Sequence, residues 1–386
     1  MSICFLLPSP KIRARVALFC LSVLLSGMQS SAEPAGDAFP LADRSIAETL
    51  LRLPDFDLQS RPDLLQSLDR YLRSNLGTTR YFQLVRQFEL QDRSDELLDL
   101  ALTRVGTTPG TWAAETLVTF GKRNQIEQAV LSPQIDRSVA AVRAVGSVGD
   151  ADAHTFLTRA LLGAELSPET LTAIATALAR QPQGEQFLAE TVAAEKLPAQ
   201  LSFTVANLLH VSQNPAPRGI AAQHLPLPKT KSGKPLPPLK ELVKRSGDPV
   251  AGRTLFFSKA QCATCHRVTG EGKFVGPDLT EIGSKLSKQV LYTSILDPSA
   301  AISHNYENHE LVNLDGKIET GILLSRSEAK IEIKNAEGIV RSFPASEIES
   351  LRKLPISLMP AGIEKQLTAE ELVDLVEYLL SLKQPR

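Results

Sequence analysis

Residues 262–266 read Cys262-Ala263-Thr264-Cys265-His266, and the rest of the chain offers this pentad no competitor. Of the four cysteines, Cys4 and Cys20 fall in a stretch that reads as a removable leader, so an exported chain keeps only Cys262 and Cys265. C-x-x-C-H is the attachment pattern of c-type haem. Its two thiols can add to the vinyl groups, and the residue that follows brings an imidazole under the iron. Of the three methionines, Met1 and Met28 also lie in the leader. Met359 is then the thioether left for a second axial position.

The leader is legible by itself. Within residues 1–32, Lys11, Arg13 and Arg15 form a basic start, Val16 to Leu25 an apolar run of ten, and Ser30-Ser31-Ala32 a small-residue cleavage site. Ten residues are too few to span a bilayer as a helix, though an uncleaved anchor is the alternative. No later stretch reads as transmembrane. The expectation is a signal peptide at 1–32 and a periplasmic or otherwise exported protein, soluble after cleavage. Export suits covalent haem, because attachment in bacteria occurs outside the cytoplasm and no other thiol remains to mispair. A disulfide between Cys262 and Cys265 is the other reading, but so short a loop contributes little stability.

With 386 residues and 43% apolar content the chain can bury a sizeable core, in two domains. A net charge of −1 gives no reason to expect nucleic acid as a partner. Residues 40–212 carry apolar positions at helical spacing, as in Ala140-Ala141-Val142-Arg143-Ala144-Val145. A faint repeat at an offset of 31 relates Phe156-Leu157 to Phe187-Leu188, Ile174 to Val205 and Leu178 to Leu209. Helix pairs of that length stack into an α-solenoid resembling short HEAT-like repeats; an irregular bundle is the alternative. Trp112 reads as repeat core. Residues 213–247 hold seven prolines and read as a stiff Pro/Lys-rich linker. Seven basic residues from Arg218 to Arg245 face one acid, Glu241, which suits either a solvated linker or a dock for an acidic redox partner.

Residues 248–386 read as a second domain. A helix over Gly252 to Ala260 leads into the cysteines, and Ser287 caps another that Asp297-Pro298 stops. From 306 to 343 the period changes to two, with Asp315-Gly316 and Glu337-Gly338 as turns, which predicts a small antiparallel β insertion. Thr368 and Glu371 form a capping box for a last helix that buries Leu372, Leu375, Val376 and Leu379.

His266 is the expected proximal ligand, since it adjoins Cys265. Its second ring nitrogen needs an acceptor to set the tautomer, and Pro277 in Gly276-Pro277-Asp278-Leu279 is placed to offer a carbonyl. Met359, in Ser357-Leu358-Met359-Pro360, is the expected sixth ligand. His304 and His309 are its rivals. Zinc fits less well, because adjacent Cys265 and His266 cannot easily point at one ion and no second C-x-x-C completes four ligands.

These motifs, in this order, resemble the cytochrome-c-type haem-binding domain of the Planctomycetes and Verrucomicrobia kind. The resemblance rests on Gly252 and Phe256, the C-x-x-C-H run, Gly276-Pro277-Asp278-Leu279, Ile295-Leu296-Asp297-Pro298, Tyr306-Glu307, Asp315-Gly316, Gly321, Ser357-Leu358-Met359-Pro360 and the last helix. It implies a β module inserted between the two haem ligands. His266 and Met359 are 93 residues apart, and without the 38 of Tyr306–Phe343 the separation is 55, about that of a compact class I cytochrome c. The expected fold is therefore mainly α: solenoid-like repeats followed by a class I cytochrome c-like domain with a small antiparallel insertion. The expected function is a monohaem electron carrier with one covalent haem c, exchanging electrons with a dehydrogenase or respiratory acceptor, rather than an enzyme. Two alternatives stand beside it: an interaction scaffold in which haem is structural, and a haem peroxidase or sensor with an open sixth site.

Overall fold

The computed structural model describes residues 41–383. The signal-peptide reading at 1–32 falls outside the described residues. The chain forms two compact units that divide after Ile126.

The first unit is helical: Leu41–Leu50, Pro62–Ser74, Thr79–Gln87, Ser94–Thr103 and Thr108–Thr119. Leu64, Leu68 and Leu72 recur at i, i+4 on one helix face and are buried, as are Tyr81, Leu84, Leu97, Leu100 and Leu117. Asp43 is buried beneath Arg70, which grips both carboxylate oxygens at 2.8 and 2.7 Å. That hydrogen bond and charge hold the Asp43 carboxyl below the usual carboxylate range against the opposing effect of burial. Trp112 is half-buried and meets Phe82 edge-on at 5.6 Å.

The second unit begins with further helices. Ile135–Val148 packs on Pro168–Leu178, which packs on Ser202–Leu209, and Pro182–Ala193 packs on Pro215–His224. Polar rungs link successive layers: Thr170 Oγ1 donates to Ser138 Oγ and Gln181 Nε2 to the Gly149 carbonyl, both at 2.9 Å and both across 32 residues. Three of these helices start with Pro168, Pro182 and Pro215 at the first position, where a missing N–H costs nothing.

The same chemistry places a helix, Pro215–His224, inside the stretch expected as a stiff Pro/Lys-rich linker, 213–247. Pro215 and Pro217 open a helix, capped by Asn214 through the Ala216 amide, instead of forbidding one. Further on, Lys229 bridges to Pro235, Leu239–Leu242 forms a short helix, and Leu236, Leu239 and Leu242 are buried. They enter the core that Phe256, Tyr292, Leu372 and Val376 build, where each leucine contributes about 2 kcal/mol. The basic residues of the segment stay exposed. Asn207 extends this packing to the Ser202–Leu209 helix by accepting the Leu239 amide at 2.8 Å.

The helix before the cysteines spans Pro249–Phe257 and crosses the last helix, Ala369–Ser381. The crossing is close because of Gly252: a Cβ there would lie 2.0 Å from the Asp374 carbonyl oxygen and 2.8 Å from Tyr378 Cβ. One turn later Phe256 is fully buried and meets Tyr378 edge-on at 5.6 Å. The Thr368–Glu371 capping box is present, and Lys259, just past the end of the Pro249–Phe257 helix, pairs with Glu371.

Two short strands, β1 (Arg267–Val268) and β2 (Glu271–Gly272), form a hairpin. A five-stranded antiparallel sheet follows: β3 (Asn308–Asn313), β4 (Ile318–Arg326), β5 (Lys330–Lys334), β6 (Val340–Pro344) and β7 (Ile348–Lys353), in the order β6-β5-β4-β3-β7. The insertion thus runs ten residues past the expected end at Phe343, because β7 returns to pair with β3. Leu311, Ile331 and Ile333 fill a small core of its own. The predicted turns are there, with Gly316 and Gly338 at φ of +74° and +84°, the left-handed conformation that glycine adopts without strain.

Candidate functional site

The site is built where the Pro249–Phe257 helix ends. Gln261 takes a left-handed φ of +54° and turns the chain into a single 3-10 turn, Cys262–Thr264. The amides of Cys265 and His266 both donate to the Cys262 carbonyl, at 3.1 and 2.9 Å. The pentad is therefore wound as one compact turn that carries both thiols and the imidazole. Both thiols are free and half-buried. Burial pushes the Cys262 thiol up to about 12, so it stays protonated.

After the β1–β2 hairpin the chain folds back over this turn. The Lys273 amide donates to the Ala263 carbonyl at 3.0 Å, and those of Val275 and Gly276 both donate to the Cys265 carbonyl at 3.0 and 2.9 Å. Gly276 lies flat against the His266 ring: a Cβ would sit 2.7 Å from Cε1 and 3.0 Å from Nδ1. The next residue supplies the predicted acceptor, with the Pro277 carbonyl 2.9 Å from His266 Nδ1. A carbonyl only accepts, so Nδ1 carries the proton and Nε2 keeps its lone pair. Burial lowers the His266 pKa more than this carbonyl raises it, which favours the neutral ring that a metal ligand requires.

Met359 is half-buried and packs on the same core as Cys262, Ala263, Leu279 and Ile282. Its loop is tethered, since the Met359 amide donates to Ser357 Oγ at 3.1 Å and the Ser357 amide to Ser299 Oγ at 3.0 Å. The rival histidines lie elsewhere. The His304 side chain is 88% exposed beside Glu307, and His309 sits on β3 with Nδ1 3.0 Å from the Glu307 carbonyl. No group of three or more His, Cys, Asp or Glu side chains gathers as a metal site among the described residues. Two free thiols on one turn, a neutral imidazole with Nε2 available and a thioether on the shared core fit haem c.

Residues 249–315 match the family model for cytochrome c. This stretch, which holds the C-x-x-C-H turn and the Gly276-Pro277 loop, is a cytochrome c-type haem-binding domain, and that family implies covalently bound haem c. The match stops short of Met359. No curated protein matches the chain. No helix among the described residues is long and apolar enough to cross a membrane.

Along the sequence Gly276 stands only as part of a motif; its reason, the face of the His266 ring, is steric and visible only in three dimensions. The left-handed Gln261 carried no sequence signal.

Proposed function

We propose that the chain is an exported monohaem c-type cytochrome that passes single electrons to or from a separate dehydrogenase or respiratory partner. One observation carries the reading: the Cys262–His266 turn joined to the Pro277 carbonyl, which leaves Nε2 of a neutral imidazole free beside two thiols. Bound there, haem supplies an iron that cycles between ferric and ferrous states. Cys262 and Cys265 hold it covalently, His266 ligates it, and Pro277 fixes the ring's tautomer. Met359 completes a His/Met pair, a reading supported by its packing on the core that Cys262 shares. The layered helices, with rungs that each join residues 32 apart, support HEAT-like repeats as the partner-binding part of the chain. Together the two halves correspond to the Planctomycetes and Verrucomicrobia kind of haem domain behind helical repeats. A potentiometric titration of the haem-loaded protein tests the carrier role. The expected result is one wave of one electron, with slow cyanide binding and no peroxide turnover; rapid turnover would make the protein an enzyme instead.

A further inference from the structure

The β5–β6 hairpin reaches back to the loop that cradles His266. Lys334, the last residue of β5, is 8% exposed, and its Nζ donates to the Phe274 carbonyl at 3.0 Å, across 60 residues of sequence. The same ammonium lies 5.3 Å from the centre of the Phe274 ring, and the Arg267 guanidinium 5.1 Å from it. At the hairpin tip Gly338 presses on the next residue, so that a Cβ there would lie 3.1 Å from Val275 Cγ2. Val275 is itself 3% exposed, and its amide bonds the Cys265 carbonyl. Phe274 and Val275 run directly into Gly276 and Pro277, which touch the His266 ring.

A buried ammonium is costly to desolvate. Burial alone accounts for the lowered Lys334 pKa, with no carboxylate offsetting it. What compensates is the Phe274 carbonyl and ring. A methionine or leucine could fill this volume without that cost, but neither could hold a carbonyl in place.

We propose that Lys334 is a positioning residue for the haem site: it clamps the 273–277 loop onto the β insertion, and through that loop fixes the His266 ring. The insertion is then the outer wall of the proximal pocket, not a passenger between the two ligands. The clamp itself stands without haem, whereas its effect on the iron rests on the function proposed above.

The test uses the full chain, haem-loaded, with amide hydrogen exchange and a potentiometric titration. Lys334→Met should exchange the Val275 and Gly276 amides about tenfold faster, as expected for losing a hydrogen bond to a charged donor. It should also shift the ferric His266 resonances and lower the potential, since a nearby positive charge favours the ferrous state. Lys334→Gln, which keeps an N–H donor without the charge, should restore the amide protection and leave the potential lowered. Unchanged exchange at Val275 and Gly276 in a folded Lys334→Met protein would overturn the clamp. Should that variant not fold, the wild type decides: these two amides and those of β5 and β6 should open together as one unit. Independent opening would refute the proposal. Loss of haem staining with the exchange pattern intact would count against the haem reading alone.

Discussion

His266 Nδ1 and the Pro277 carbonyl oxygen stand 2.9 Å apart, joined through a loop whose glycine lies against the imidazole face. The contact sets the tautomer and the ring's rotation together. A ligand held this way needs no reorganisation when it bonds a metal, which is how outer partners tune a metal's affinity. Three consecutive residues, Val275, Gly276 and Pro277, contribute a backbone amide, an open face and a carbonyl to the same small volume.

Gly276→Ala should damage the site without any loss of polar contact. The added methyl meets the ring at 2.7 Å, and the ring cannot retreat while Pro277 holds it. Relieving such an overlap costs about 1–3 kcal/mol. The thermal midpoint of the haem protein should fall accordingly and the yield of loaded protein should drop; a midpoint equal to wild type would show that the loop has slack.

Met359→Ala and Met359→His test the sixth ligand. The weak far-red band of sulfur-to-iron charge transfer should be present in the wild type and absent from both variants, with a lower potential in each. Met359→Ala should bind cyanide quickly. His304→Ala and His309→Ala should keep the band, in line with their positions beside Glu307. If a histidine variant loses the wild-type spectrum while Met359→Ala keeps it, the site is bis-histidine.

Leu242→Ala tests the basic segment as part of the haem domain. Leu242 is 1% exposed in the core with Tyr292 and Val376, so its truncation should cost about 2–5 kcal/mol in chemical denaturation followed at the haem. A spacer between domains would tolerate the change without any shift of the haem transition.

Much of this site could be read directly along the chain, because its signals are local. The C-x-x-C-H turn, Pro277, the Ser287 cap and the Thr368–Glu371 box each depend on residues within a dozen positions. What escaped was either non-local or masked by composition. The strand β7 carries Glu349, Arg352 and Lys353 and has little alternation of its own, so only its pairing with β3, some forty residues earlier, makes it a strand. Proline-rich composition hid the helix at Pro215, because the same residue that breaks a helix interior begins one well. In that segment three leucines, not the prolines, decide where the chain goes. Nothing local marks Lys334, whose partner Phe274 lies 60 residues earlier.

Intact mass under denaturing conditions shows whether Cys262 and Cys265 carry haem covalently. The protein should carry the mass of one haem beyond its polypeptide, keep it through denaturation, and stain for haem after denaturing electrophoresis. Cys262→Ala with Cys265→Ala should show the bare polypeptide mass and no stain. A wild-type mass without haem, or a double variant that still retains haem through denaturation, would contradict the account.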